Sequence, residues 1–170
     1  SALLVPFWNS SIQYRESLLF VQSASLEPPR ENLLFHATKI ISLQRSFTGE
    51  VYQQGKDFIY DATKNQIILL PGSPIPTLNY STLYPLRGAT PFHHKDGIHA
   101  LIHSEGHTFH DQQVEVTYEH NGKEWLETGG YIPQSASMTL PMTFQRLHDK
   151  QTLRVVLLGD SISAGANASG

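Results

Sequence analysis

The chain has 170 residues, 39% hydrophobic and 16% charged, with a net charge of −3 and no cysteine. That balance belongs to a globular chain and leaves neither a disulfide scaffold nor a cysteine-based metal site. No dense Lys/Arg run offers a nucleic-acid or anionic-membrane surface, and no stretch approaches the roughly 18 apolar residues of a membrane span.

From the N-terminus to about residue 138, short apolar stretches alternate with turn residues. Phe7-Trp8, after Pro6, reads as an anchor that packs an N-terminal arm. Residues 17–21, 39–43, 57–60, 66–70, 98–102 and 114–118 read as strands, because they are rich in β-branched and aromatic side chains between Pro, Gly, Asn and Asp. The pair 58–70 reads as a hairpin with residues 61–65 as its loop, followed by a Pro- and Gly-rich surface segment. In 114–118, Val114, Val116 and Tyr118 point one way and Glu115 and Thr117 the other, the pattern of a half-buried antiparallel strand. Strands at this spacing predict a mainly β fold, an antiparallel, jelly-roll-like β-sandwich. Phe7, Trp8, Tyr14, Tyr52, Tyr80, Tyr84, Trp125 and Tyr131 are candidates for stacking on sugar rings, but the stronger reading is that a sandwich core and its edges require these large rings.

Histidine is concentrated in the middle of the chain: His93, His94, His99, His103, His107 and His110 lie close together, with Asp96, Glu105 and Asp111 among them. His99, His103, His107 and His110 are the candidates for a zinc-type site. The alternative is a set of turn and edge histidines bonded to backbone and neighbouring acids, and Gly97 and Gly106 favour a hairpin there over a helical column. A third reading puts these histidines on the face the sandwich presents to a neighbouring domain. No cofactor is expected.

A helix is expected from Pro141 to about Lys150, with Phe144, Leu147 and His148 as its apolar stripe. It precedes Val155, Val156, Leu157 and Leu158, an unbroken apolar run of the kind that forms a strand covered on both faces. Gly159 then permits a sharp turn, and Asp160 or Ser161 can cap a following helix whose free N–H groups would favour an oxyanion near Ser161.

With Gly159, Asp160, Ser161, Ile162, Ser163 and Gly165 in place, the last twenty or so residues resemble the first conserved block of the SGNH hydrolases, or GDSL lipases and esterases. The resemblance implies that Ser161 is the acyl-forming nucleophile, that its backbone N–H is one oxyanion donor, and that Gly159 and Asp160 build the nucleophile turn. The family's other oxyanion donors and its histidine base have no counterpart among residues 162–170. Without a base a serine hydroxyl is a poor nucleophile, so the chain by itself is expected to be inactive.

The expected organisation is a β-sandwich accessory domain over 1–138, then a linker helix and the first strand of a truncated α/β hydrolase domain over 139–170. Two functions fit it. One is the N-terminal portion of a two-domain serine esterase acting on a small ester or acylated carbohydrate. The other is a non-catalytic carbohydrate- or protein-binding module. Residues 153–158 are expected to be covered by the remaining hydrolase portion, by another copy of the chain, or by the sandwich itself. The compartment stays open, since exported bacterial proteins also lack cysteine.

Overall fold

The computed structural model describes residues 7–23, 27–88, 93–101, 107, 109–127, 129, 131, 134, 136–156, 158 and 159. The fold is mainly β and antiparallel. A four-stranded sheet has the order β1 (Ile12–Leu18), β9 (Val114–His120), β4 (Ala37–Arg45), β5 (Val51–Tyr52). A three-stranded sheet has the order β3 (Arg30–Asn32), β7 (Gln66–Leu69), β6 (Phe58–Asp61). One short parallel pair, β2 (Val21–Gln22) with β8 (Leu78–Asn79), stands apart from both.

Alternation decides which side chains meet. Val114, Val116 and Tyr118 are fully buried while Glu115 and Thr117 are partly exposed, as the period of two requires. They join Leu18, Leu43 and Tyr52 of the same sheet and Phe58, Ile67 and Leu69 of the three-stranded sheet in one core cluster. The Phe7 ring meets Trp125 edge-on at 4.8 Å and lies 6.3 Å from Phe35, while the arm before it, residues 1–6, lies outside the described residues.

The chain passes from β3 to β4 through residues 33–37, where side chains supply most of the backbone's partners. Leu34 N–H donates to Glu16 at 2.9 Å, Phe35 N–H to the Tyr118 hydroxyl at 3.0 Å, and His36 N–H to Glu124 at 2.7 Å. Asn65 satisfies the rest. Its Nδ2 donates to Leu33 O and Phe35 O at 3.0 and 3.1 Å, and its Oδ1 accepts from Ala37 N–H at 3.2 Å. The Tyr60 hydroxyl lies 2.9 Å from that same oxygen. Asn65 closes the β6–β7 hairpin with φ +55°, a left-handed conformation that asparagine tolerates better than most residues.

Tyr118 reaches the crossing from the core side, donating its hydroxyl proton to Glu16 at 2.5 Å. Burial pushes the Glu16 carboxyl above its ordinary value, against the opposing pull of the Tyr118 and Leu34 hydrogen bonds. Burial likewise pushes the Tyr118 hydroxyl far up, and the adjacent Glu16 adds to the shift. Glu16 itself sits just after a bulge in β1, where Arg15 adopts φ +50° and its side chain pairs with Glu115 at 2.6 Å.

Several sequence expectations need correction. The segment 98–102 is no strand: His99 and Ala100 make only isolated bridges to Leu86 and His93, and residue 102 lies outside the described residues. Residues 17–21 divide between the end of β1 and the start of β2. The helix runs Pro141–His148 as expected, but Phe144 and Leu147 are exposed and no residue of the helix is buried. The run 155–158 forms no strand in its described residues, because no strand among the described residues offers it a ladder. It does not fold back on the core either: Val155 and Val156 are each 71% exposed and Leu158 is 94% exposed.

Two stability effects follow. Asn65→Gly keeps the left-handed backbone but deletes the side-chain bonds, and should cost about 2–4 kcal/mol in urea unfolding; a change within error would show that the crossing is held by packing alone. His120 stacks on Phe35 at 4.4 Å, and its Nδ1 accepts from Gly122 N–H at 3.2 Å. Burial pushes its pKa below the ordinary 6.5, with Glu124 opposing. The folded state therefore takes up this proton at lower pH than the unfolded chain, and stability falls as pH drops below about 6.5. His120→Phe should flatten the loss of thermal midpoint between about pH 7 and about pH 5; equal slopes in both proteins would assign that loss to other groups.

Candidate functional site

Ser161, Asp160, Ile162 and Ser163 lie outside the described residues, as does His103. Gly159 is described: it is exposed and in no regular element. The side chains that carry recognisable site geometry are instead found between β8 and β9.

The short helix α1 (Tyr80–Leu83) follows β8 directly and is closed by Tyr84 N–H donating to Tyr80 O at 2.8 Å. The chain then doubles back. Arg87 N–H donates to Ile98 O at 3.0 Å and Ala100 N–H to Pro85 O at 2.7 Å, which brings 85–87 against 98–100. At the tip, His94 N–H donates to His99 O at 3.0 Å and Gly97 N–H to His94 O at 3.1 Å. Gly97 has φ +73°, which this turn needs and a side chain would strain.

Asp96 organises this turn. One carboxylate oxygen accepts from the Ile98 and His99 N–H groups at 2.8 and 2.9 Å. The other meets His99 Nδ1 at 2.7 Å and His94 Nδ1 at 3.1 Å. The His99 backbone N–H, then its ring, then the Ile98 N–H hold the Asp96 carboxyl well below the usual carboxylate range. A carboxylate against Nδ1 fixes the imidazole's orientation and places the proton there, leaving Nε2 as the acceptor. Such a pair can bind a hydroxyl or a polar hydrogen. Aromatic rings frame it: Tyr84 lies 4.9 Å from the His94 ring, and Tyr80 meets the His99 ring edge-on at 6.2 Å.

The other histidines go elsewhere. The His107 ring is 6.4 Å from that of His110 and 6.5 Å from Phe47. His110 opens a 3-10 turn ahead of β9. No group of three or more His, Asp or Glu side chains among the described residues is arranged to hold a metal ion. The reading of turn histidines bonded to backbone and acids fits His94 and His99, while Asp96 is a member the metal candidates left out. The signal for it is local: an Asp followed by Gly, two residues before Ile98 and three before His99, is the pattern of a side chain that bonds the backbone ahead of it.

Two hollows adjoin this region on the β2–β8 side. One, of about 220 Å³, is lined by Gln22, Ser23, Asn79, Tyr80 and Ser81. The other, of about 320 Å³, also includes Gln22 and extends past Thr77 and Ile75 to Pro28, Pro29 and residues 69–73.

Asp96→Ala should release His99. In the intact protein ¹⁵N-detected spectra should show the neutral ring protonated on Nδ1, and in the variant a mixture of both tautomers. A mixture already present in the intact protein would contradict the geometry.

Comparison with protein-family models, curated proteins and solved structures finds no match for this chain.

Proposed function

We propose that this chain belongs to a two-domain serine esterase of the SGNH type, to which it contributes a β-sandwich accessory domain and the nucleophile turn Gly159-Asp160-Ser161. The sequence from Arg154 to Gly165 carries this reading: a charged residue, an apolar run, a Gly, then Asp-Ser with an aliphatic residue, a serine and a Gly after it. Ser161 Oγ would attack the ester carbonyl, and its own N–H would donate to the oxyanion that develops. A base that takes the Oγ proton and gives it to the leaving alkoxide would complete acylation; water, giving a proton to the same base, would then attack the acyl-serine, release the acid and return the proton to Ser161 Oγ.

The exposed apolar side chains support the reading independently. Burial of a Val or Leu side chain stabilises by roughly 1.5–3 kcal/mol, so bare Val155, Val156 and Leu158 indicate a tract that further structure covers. A parallel sheet of a hydrolase domain would cover both its faces. The sandwich form is supported by the way both larger sheets feed one core. The substrate proposed is a small ester or an acylated carbohydrate.

The test is hydrolysis of p-nitrophenyl acetate by the longest polypeptide the gene encodes, with and without Ser161→Ala. Loss of the nucleophile should lower kcat by roughly a thousandfold or more. Equal rates for the two proteins would dismiss Ser161 as the nucleophile.

A further inference from the structure

Asn121 and Gly122 turn the chain at the end of β9, and the groups around the peptide bond that joins them are arranged for a reaction. Gly122 N–H, in a backbone with φ +73°, donates to His120 Nδ1 at 3.2 Å. The Asn121 side-chain oxygen accepts from Lys123 N–H at 2.8 Å. A base thus meets the amide proton, and a donor meets the carboxamide oxygen. Asn121 is exposed, so water reaches its side chain, and Gly122 has no side chain to obstruct the nitrogen beside it.

We propose that Asn121 is a self-modifying residue, whose carboxamide is lost to attack by the Gly122 nitrogen with His120 as the base. The nitrogen bonds to Asn121 Cγ and closes a cyclic imide, while its proton passes to His120 Nδ1. Lys123 N–H stabilises the negative charge that develops on Oδ1. The imidazolium then gives its proton to the departing amide nitrogen, which leaves as ammonia. Water opens the imide at either carbonyl, giving aspartate or its β-linked isomer at this position. No step uses Ser161, so the inference stands apart from the esterase reading.

The surroundings of His120 suit a neutral base. Its ring is buried against Phe35, and burial holds its pKa below 6.5. With Nδ1 accepting, the proton sits on Nε2, which finds no hydrogen-bond partner among the described residues. Across the sheet His120 faces Ala37 of β4, and its N–H donates to Ser11 O at 2.9 Å; neither residue titrates there. The Tyr118 ring lies 6.1 Å away with its hydroxyl committed to Glu16, and the charge of Glu124 favours the imidazolium as it forms. Asp96-Gly97 is a dipeptide of the same kind without these groups. Gly97 N–H donates to a carbonyl, His94 O, which takes no proton, and the Asp96 carboxylate is held ionised. The β-linked isomer would lengthen the backbone where a Cβ on Gly122 would already lie 3.3 Å from Ser10 O, just before the Glu124 that holds His36 N–H. Modification at Asn121 therefore bears on the crossing at 33–37.

Warm incubation of the full chain over several weeks, with mass spectrometry of the peptide that carries Asn121, tests the proposal. Amide should convert to acid there, at a rate that levels off above about pH 6.5, where the base is already neutral. Attack driven by hydroxide alone would instead climb about tenfold with each pH unit. His120→Phe, checked for folding by circular dichroism, should convert roughly tenfold more slowly at neutral pH. Should that variant fail to fold, the pH profile of the intact chain decides. No conversion at Asn121, a rate that keeps climbing to about pH 8.5, or an unchanged rate in folded His120→Phe would overturn the proposal.

Discussion

The crossing from the three-stranded to the four-stranded sheet, residues 33–37, is the constraint on which the core depends. A segment that leaves one ladder and has not entered the next exposes backbone N–H and C=O groups at the point where Phe35 must be buried. Unpaired, those groups would each cost about 1–3 kcal/mol. Here four side chains from distant parts of the sequence answer them: Glu16 of β1, Tyr118 of β9, Asn65 of the hairpin and Glu124. Each also belongs to an element that packs on the core or flanks it. The crossing thus ties β1, β9 and the β6–β7 hairpin together, and Phe35 extends that link to His120 and Phe7.

How much of this is legible in the sequence depends on whether the signal is local. The strands β4, β6, β7 and β9 are plain, because Ile, Val, Phe and Tyr recur at strand spacing between turn residues. The first half of β1 is not: Gln13-Tyr14-Arg15-Glu16 has no alternation, since the bulge at Arg15 breaks the register that alternation would report. Neither is β3, where Arg30-Glu31-Asn32 follows two prolines and owes its pairing to β7 rather than to propensity. The role of Asn65 is equally hidden, because its partners lie about thirty residues earlier in the chain.

The same rule governs the candidate sites. The proposed nucleophile turn is visible as a motif because its residues are consecutive. The histidine-rich stretch is visible only as composition, and composition does not say which imidazole meets which acid. The structure pairs His99 with Asp96, three residues before it, through a turn; a column of histidines four residues apart would have needed a helix there. The meeting of Gln22 with Asn79 is beyond reach of the sequence altogether, since the two-residue parallel pair that joins them carries no pattern of its own.

The bulge in β1 has a consequence for how copies of this chain behave in solution. β1 is one edge of the four-stranded sheet, and an edge is a template on which another chain can add a strand. Left-handed Arg15, with its guanidinium folded onto Glu115, interrupts that template at its middle. At the opposite edge β5 is only two residues long. Both edges are thereby poor seeds for aggregation by sheet extension. Self-association of this chain would draw instead on the bare valines and leucine beyond the Pro141–His148 helix, and charged substitutions there, not at the sheet edges, are the ones that would keep it monodisperse.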